Sequence, residues 1–134
     1  MRKLFISLFL VFMSFQGFGQ EFITDDSFDD KINERHAFGD ADQNIVVVEF
    51  WAKFNEANAF ADWDKVKGVK YFRIDVGSSP EMKKKYRIRM APTIILFNKG
   101  IKEDTWKAGL DLECTVDIDE LQEAVEDVKT ADNF

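Results

Sequence analysis

The chain has 134 residues, 46% of them hydrophobic, with 14 phenylalanines and a formal net charge of −7. That is enough for one domain around a single core, and it excludes a low-complexity or disordered chain. The acidic balance disfavours nucleic acid and anionic membrane surfaces as partners; it favours plain solubility first and basic partners second.

Residues 1–20 read as a targeting segment. Arg2 and Lys3 form a charged start, residues 4–15 are apolar apart from Ser7 and Ser14, and Gly17 and Gly19 offer small residues for cleavage. The apolar run is too short to span a bilayer. No cysteine stands near the cleavage region to carry a lipid anchor. The expectation is an exported protein, periplasmic or extracellular, with a mature domain over 21–134 and no stable membrane insertion once the segment is removed.

The mature part alternates strand and helix signals. Residues 21–24 suggest a short strand, and Asp25, Asp26 and Ser27 open a helix that carries Phe28 and Ile32 and runs to about residue 37. Residues 39–44 are rich in turn formers. Residues 45–51, Ile-Val-Val-Val-Glu-Phe-Trp, read as a strand buried on both faces. The spacing of Ala59, Phe60, Trp63 and Val66 predicts a second helix over 55–67, with Asn55 as its N-cap and Gly68 as its end.

Residues 69–75 form a strand of equivocal period. Ser78, Ser79, Pro80 and Glu81 open a third helix to about residue 86, with serine as the cap and proline in the first turn. Residues 93–97 are a strand, 98–100 a hairpin turn and 101–108 the returning strand. Ile118, Leu121, Val125 and Val128 share one face of a last helix over 117–128. Alternation of this kind predicts an α/β fold: a mixed sheet of four to five strands with helices on both faces.

The pattern of residues resembles the thioredoxin family across nearly the whole mature chain. V-V-E-F-W-A-K-F at 47–54 is similar to that family's strand and active-site turn, V-D-F-W-A-x-W-C-G-P-C. Phe72-Arg73-Ile74-Asp75 is similar to its central strand, Lys85-Tyr86-Arg87-Ile88-Arg89-Met90-Ala91-Pro92-Thr93 to its K-Y-x-I-x-x-x-P-T segment, and Leu96-Phe97-Asn98-Lys99-Gly100 to the strand and hairpin after it. The resemblance implies the thioredoxin-like fold and a cis bond before Pro92. It also places Asn55 and Asn58 at the two redox cysteine positions.

An amide has no accessible anion and cannot attack sulfur, so dithiol chemistry is not expected of this chain. Asn55 is then a cap, or a polar contact for a ligand. The chain's single cysteine, Cys114, leaves no internal disulfide; its thiol is buried, free, or paired with another molecule. It lies in a 110–116 segment longer than the family usually has.

Glu49 takes the place of the family's buried aspartate, and Tyr71 takes that of its nearby lysine. A carboxyl buried without a cation is driven toward its neutral form; the alternative is a Glu49 that reaches solvent or a hydroxyl. The lone His36 and the acidic pairs lack metal-ligand spacing, so neither metal nor cofactor is expected. The expected activity is peptide or protein binding in a groove of Trp51, Phe54, Met90, Ala91 and Pro92, where free backbone before Pro92 takes an added strand. The alternative is a thiol-disulfide oxidoreductase or redox-homeostasis protein that uses Cys114 or a partner thiol; an intermolecular disulfide through Cys114 is a further expectation.

Overall fold

The computed structural model describes residues 21–33 and 45–132. The targeting segment, His36, the end of the first predicted helix and the 39–44 turn lie outside the described residues. Five strands form one mixed sheet: β1 (Glu21–Ile23), β2 (Ile45–Trp51), β3 (Lys70–Asp75), β4 (Thr93–Asn98) and β5 (Ile101–Lys107). Their order is β1-β3-β2-β4-β5, with β3 parallel to both β1 and β2, and the β2–β4 and β4–β5 pairs antiparallel. Among the described residues, three α-helices cover the sheet: α1 (Asp25–Ile32), α2 (Pro80–Lys85) and α3 (Ile118–Asp132). This is the expected α/β fold.

β2 lies at the centre and is buried on both faces, because its residues alternate between two apolar layers. Val46, Val48 and Phe50 join Phe28, Ile32, Met82 and Ile88 on one side. Ile45 and Val47 join Phe60, Leu121 and Val125 on the other. The first layer holds an aromatic cluster in which Phe28, Phe50, Tyr86 and Phe97 lie 5.4 to 6.1 Å apart by ring centroid. β3 begins at Lys70, so Val69 falls outside it and the period of two is clean. Phe72 and Ile74 enter the first layer, while Tyr71 packs against the second.

The hairpin between β4 and β5 needs two left-handed residues, and Lys99 (φ 54°) and Gly100 (φ 79°) supply them. The Ala91–Pro92 bond is cis. Thr24 and Ser27 close a reciprocal capping box on α1.

The start of α2 departs from the sequence expectation. Neither serine caps it. The carboxylate of Asp25, from the first turn of α1, accepts the N–H groups of Glu81 and Met82 at 3.1 and 3.0 Å. The Ser79 hydroxyl is buried and makes no hydrogen bond among the described residues. A cap reaching across 56 or 57 positions welds α1 to α2. Asp25→Ala should therefore lower stability by about 1 kcal/mol in urea unfolding. Ser79→Ala should be neutral or slightly stabilising, since it removes a buried hydroxyl that has no partner.

Candidate functional site

Three segments meet beyond the C-terminal end of β2: the turn that follows it, the cis-proline turn before β4, and residues 110–116. The predicted helix over 55–67 is absent, which corrects the sequence reading. In its place are two short 3₁₀ turns, Lys53–Asn58 and Trp63–Lys65, and Asn55 sits at φ −121°, ψ 27°, outside helical geometry. Asn55 is thus neither an N-cap nor the start of a helix dipole.

Its side chain instead joins the three segments. Asn55 Nδ2 donates to the carbonyls of Ala91 at 2.6 Å and Leu112 at 2.8 Å, and Asn55 Oδ1 accepts from Asn58 Nδ2 at 2.8 Å. Two carbonyl oxygens at these distances can be met only by N–H donors, which fixes the orientation of the amide. The two asparagines are therefore bonded to each other at the positions where the resemblance places two cysteines, and the pair is tied to both neighbouring loops.

Beneath this clasp lies Glu49, fully buried. Glu49 Oε1 accepts from the Tyr71 hydroxyl at 2.6 Å and from Arg73 Nε and Nη2 at 3.2 and 3.0 Å; Oε2 accepts the Phe60 N–H at 3.1 Å. The expectation of an acid without a cation is corrected. Arg73 stands directly opposite Glu49 in the parallel β2–β3 register, on the same face of the sheet. The sequence signal was present: Tyr71 and Arg73 alternate with Phe72 and Ile74, so both point to the face that Glu49 shares.

The same cluster accounts for the missing helix. An α-helix over 55–67 would use the Phe60 N–H and C=O within itself. Here the N–H serves Glu49, and the carbonyl accepts from Arg73 Nη2 at 3.3 Å. A backbone hydrogen bond contributes about 1 kcal/mol net, whereas a buried charge stripped of partners costs several. The ion pair wins. Asn55, Asn58, Asp62 and Asp64 are also residue types of low helix propensity, which weakens the helix further.

Cys114 is half-buried against the second apolar layer. Burial holds its thiol above the ordinary range; its bond to the Val116 carbonyl offsets part of that rise, and the charge of Glu49 adds a smaller push upward. Such a thiol is a poor nucleophile at neutral pH.

The expected groove residues are unequal. Phe54 is 79% exposed, and Trp51 and Met90 are partly buried, with Phe22 packed edge-on to Trp51 at 5.3 Å. Ala91 and Pro92 are buried, and the Ala91 carbonyl is occupied by Asn55, so the backbone before Pro92 is less free than expected. Leu110, 99% exposed, stands in the segment that Asn55 holds, an apolar side chain missed by the sequence reading. Among the described residues there is no group of three or more His, Cys, Asp or Glu able to hold a metal, and no helix long and apolar enough to cross a membrane.

The family model described as Thioredoxin matches residues 20–126. The chain belongs to the thioredoxin family. A thioredoxin from Rickettsia bellii (strain RML369-C) is 30% identical over 95 residues, 66% of this chain and 83% of its own. The chloroplastic thioredoxin M-type of Brassica napus is 37% identical over 68 residues, 45% of this chain and 38% of its own.

Two solved structures have a similar fold. A thioredoxin mutant from Entamoeba histolytica superposes with a TM-score of 0.54 at 18% identity, over 81% of this chain and 99% of that one. Plasmodium falciparum thioredoxin gives 0.53 at 19%, over 80% and 97%. Within this thioredoxin-family frame, the two-asparagine clasp is the local arrangement that needs a functional account.

Asn55→Asp tests the clasp, because it keeps the shape and turns a donor into an acceptor facing two carbonyls. It should destabilise the protein at neutral pH more than Asn55→Ala, by roughly 2 kcal/mol or more in chemical denaturation. The deficit should shrink on acidification as the new carboxyl gains a proton to donate.

A second outcome concerns alkali. Burial, then the charge and hydrogen bond of Glu49, push the Tyr71 phenol well above its ordinary value. The folded state therefore keeps a proton that the unfolded chain releases near pH ~10. The stability from this proton is full below that pH and declines above it. Urea unfolding across alkaline pH should show a downward slope that is flatter in Tyr71→Phe. It should not vanish, since Tyr86 and Cys114 are also shifted up by burial.

Proposed function

We propose that this chain is an exported thioredoxin-family domain that binds extended peptide or protein segments and does no dithiol chemistry. The observation that carries the reading is the Asn55–Asn58 clasp. The frame of an active-site turn is kept, and the groups in it are neutral amides committed to structural hydrogen bonds. Around it, Phe54 and Leu110 stand exposed with Trp51 and Met90 beside them. Exposed aromatic and aliphatic side chains beside one another suit the burial of a partner's apolar residues. The charged segment Arg2–Lys3 and the apolar run over 4–15 support export.

A second reading, an oxidoreductase using Cys114, is favoured by the names of the relatives, which are thioredoxins. Its difficulty is chemical. The thiol is half-buried, its pKa is raised, and the chain has no second cysteine to resolve a mixed disulfide.

Two measurements separate these readings. With dithiothreitol as donor, the protein should reduce insulin disulfides no faster than a Cys114→Ala variant. Titrating isotope-labelled protein with disulfide-free extended peptides should move backbone amide signals at 51–54, 90–92 and 110–112. Turnover that Cys114→Ala abolishes would establish the second reading. Shifts confined to other surfaces would remove the groove from the first.

A further inference from the structure

α2 ends in a Schellman-type turn. The Ile88 N–H reaches the Lys83 carbonyl at 2.9 Å and the Arg87 N–H reaches that of Lys84 at 3.2 Å. The residue between them must be left-handed, a position that glycine ordinarily fills. Arg87 occupies it at φ 54°, a conformation that costs an L side chain backbone strain. Ile88 is buried in the first apolar layer and anchors the turn, which leaves Arg87 and Arg89 exposed on either side of it.

Two adjoining hollows of about 720 and 340 Å³ open there, and both are lined by Lys84, Arg87 and Arg89. Lys83 completes one wall and Lys85 another; Glu81 is the one acid among the lining residues. The charge pattern is the opposite of the chain's. In a protein with 25 acids and a net charge of −7, Lys83, Lys84, Arg87 and Arg89 have no carboxylate within ion-pair distance among the described residues. Lys85 is paired, weakly, with Asp29 at 3.7 Å. Elsewhere Glu21, Glu49, Glu56, Asp62 and Glu126 each meet a cation. Four neighbouring cations left uncompensated, one of them held in a strained conformation, form a site poised for an external anion.

We propose that this hollow docks an acidic segment of a partner protein, which continues past Met90 and the Pro92 turn into the apolar rim at Trp51 and Phe54. The proposal rests on the peptide-binding reading for the course of that segment, and it adds the segment's chemistry. Screening decides the class of partner. At physiological salt the Debye length is about 8 Å, so a short acidic peptide senses the local cations and little of the remaining surface. A bilayer or a nucleic-acid duplex presents an extended array of anions and meets the whole acidic molecule.

The test is fluorescence anisotropy on the purified protein with a fluorescein-labelled peptide of alternating glutamate and valine, and its glutamine counterpart as control. The glutamate peptide should bind, more weakly as salt is added. Arg87→Glu/Arg89→Glu should weaken it roughly tenfold. Arg87→Gln/Arg89→Gln, which keeps side-chain length, should give a smaller loss. Glu81→Gln should tighten binding. All the substituted side chains are exposed, and thermal unfolding of each variant checks that the fold is retained.

Equal binding of the glutamine peptide, or no response to charge reversal, would overturn the hollow as an acidic-segment site. Heparin or phosphatidylserine vesicles that bind more tightly than the peptide, and lose that binding on charge reversal, would overturn the assigned partner class. Phe54→Ser separates the two readings. If it leaves glutamate-peptide binding untouched while charge reversal destroys it, the hollow stands and the groove fails. If Phe54→Ser alone weakens binding, the groove stands and the hollow fails.

Discussion

A carboxylate at the centre of a sheet has to be surrounded by donors, and much of this molecule follows from that requirement at Glu49. Its four contacts come from Tyr71, from two nitrogens of Arg73 and from the Phe60 N–H. They lock the parallel register of β2 against β3 and pull the chain after β2 inward at Phe60. Removing any one partner leaves part of a buried charge uncompensated, which is among the costliest changes a core can suffer. The helix that the apolar spacing over 55–67 would otherwise form yields to this demand.

The irregular turn that results creates the site above it. Freed from helical geometry, Asn55 turns its amide toward the Ala91 and Leu112 carbonyls and holds Asn58 with its oxygen. The resemblance places a reactive sulfur pair at these positions, and here three neutral hydrogen bonds close the same corner. Neutral amides have no accessible anion, and here the Asn55 side chain connects the cis-proline turn to the 110–116 segment. Cys114, in that same segment, lies under enough apolar cover for its thiol to be held protonated at neutral pH.

Charge is distributed as unevenly as polarity. Acidic residues begin α1, α2 and α3, where they favour helix starts. Cations gather at the end of α2, which their charge also favours. The helix dipole explains lysines in a last turn; it does not explain Arg87 in a left-handed position or Arg89 beyond the helix. Net charge describes the whole molecule at long range, while recognition of a short segment is local. A protein of net negative charge can therefore still bind an acidic peptide.

The sequence by itself determined the strands, because a β-branched apolar run between turn formers is a local signal, legible at 45–51 and 93–97 even where the period over 69–75 is equivocal. β2, β4, the hairpin at Lys99 and Gly100, and α3 all lie close to where their patterns predict them. The resemblance along 47–54 and 85–93 indicated the family and the cis bond. Only the tertiary structure decided the partners. Asn55 meets carbonyls 36 and 57 positions away, Asp25 caps a helix 56 positions on, and Arg73 reaches Glu49 across 24.

Tyr71 stands where the resemblance places a lysine, and the role of Arg73 appears only when β2 and β3 are set in register. The helix that the spacing over 55–67 predicts is lost for the same reason. Its apolar spacing is local, and the buried acid that takes its Phe60 hydrogen bonds belongs to another strand. Periodicity records which face of an element is buried. It carries no record of the distant polar group competing for that element's backbone, and such competition is settled by the cost of leaving a buried charge unmet.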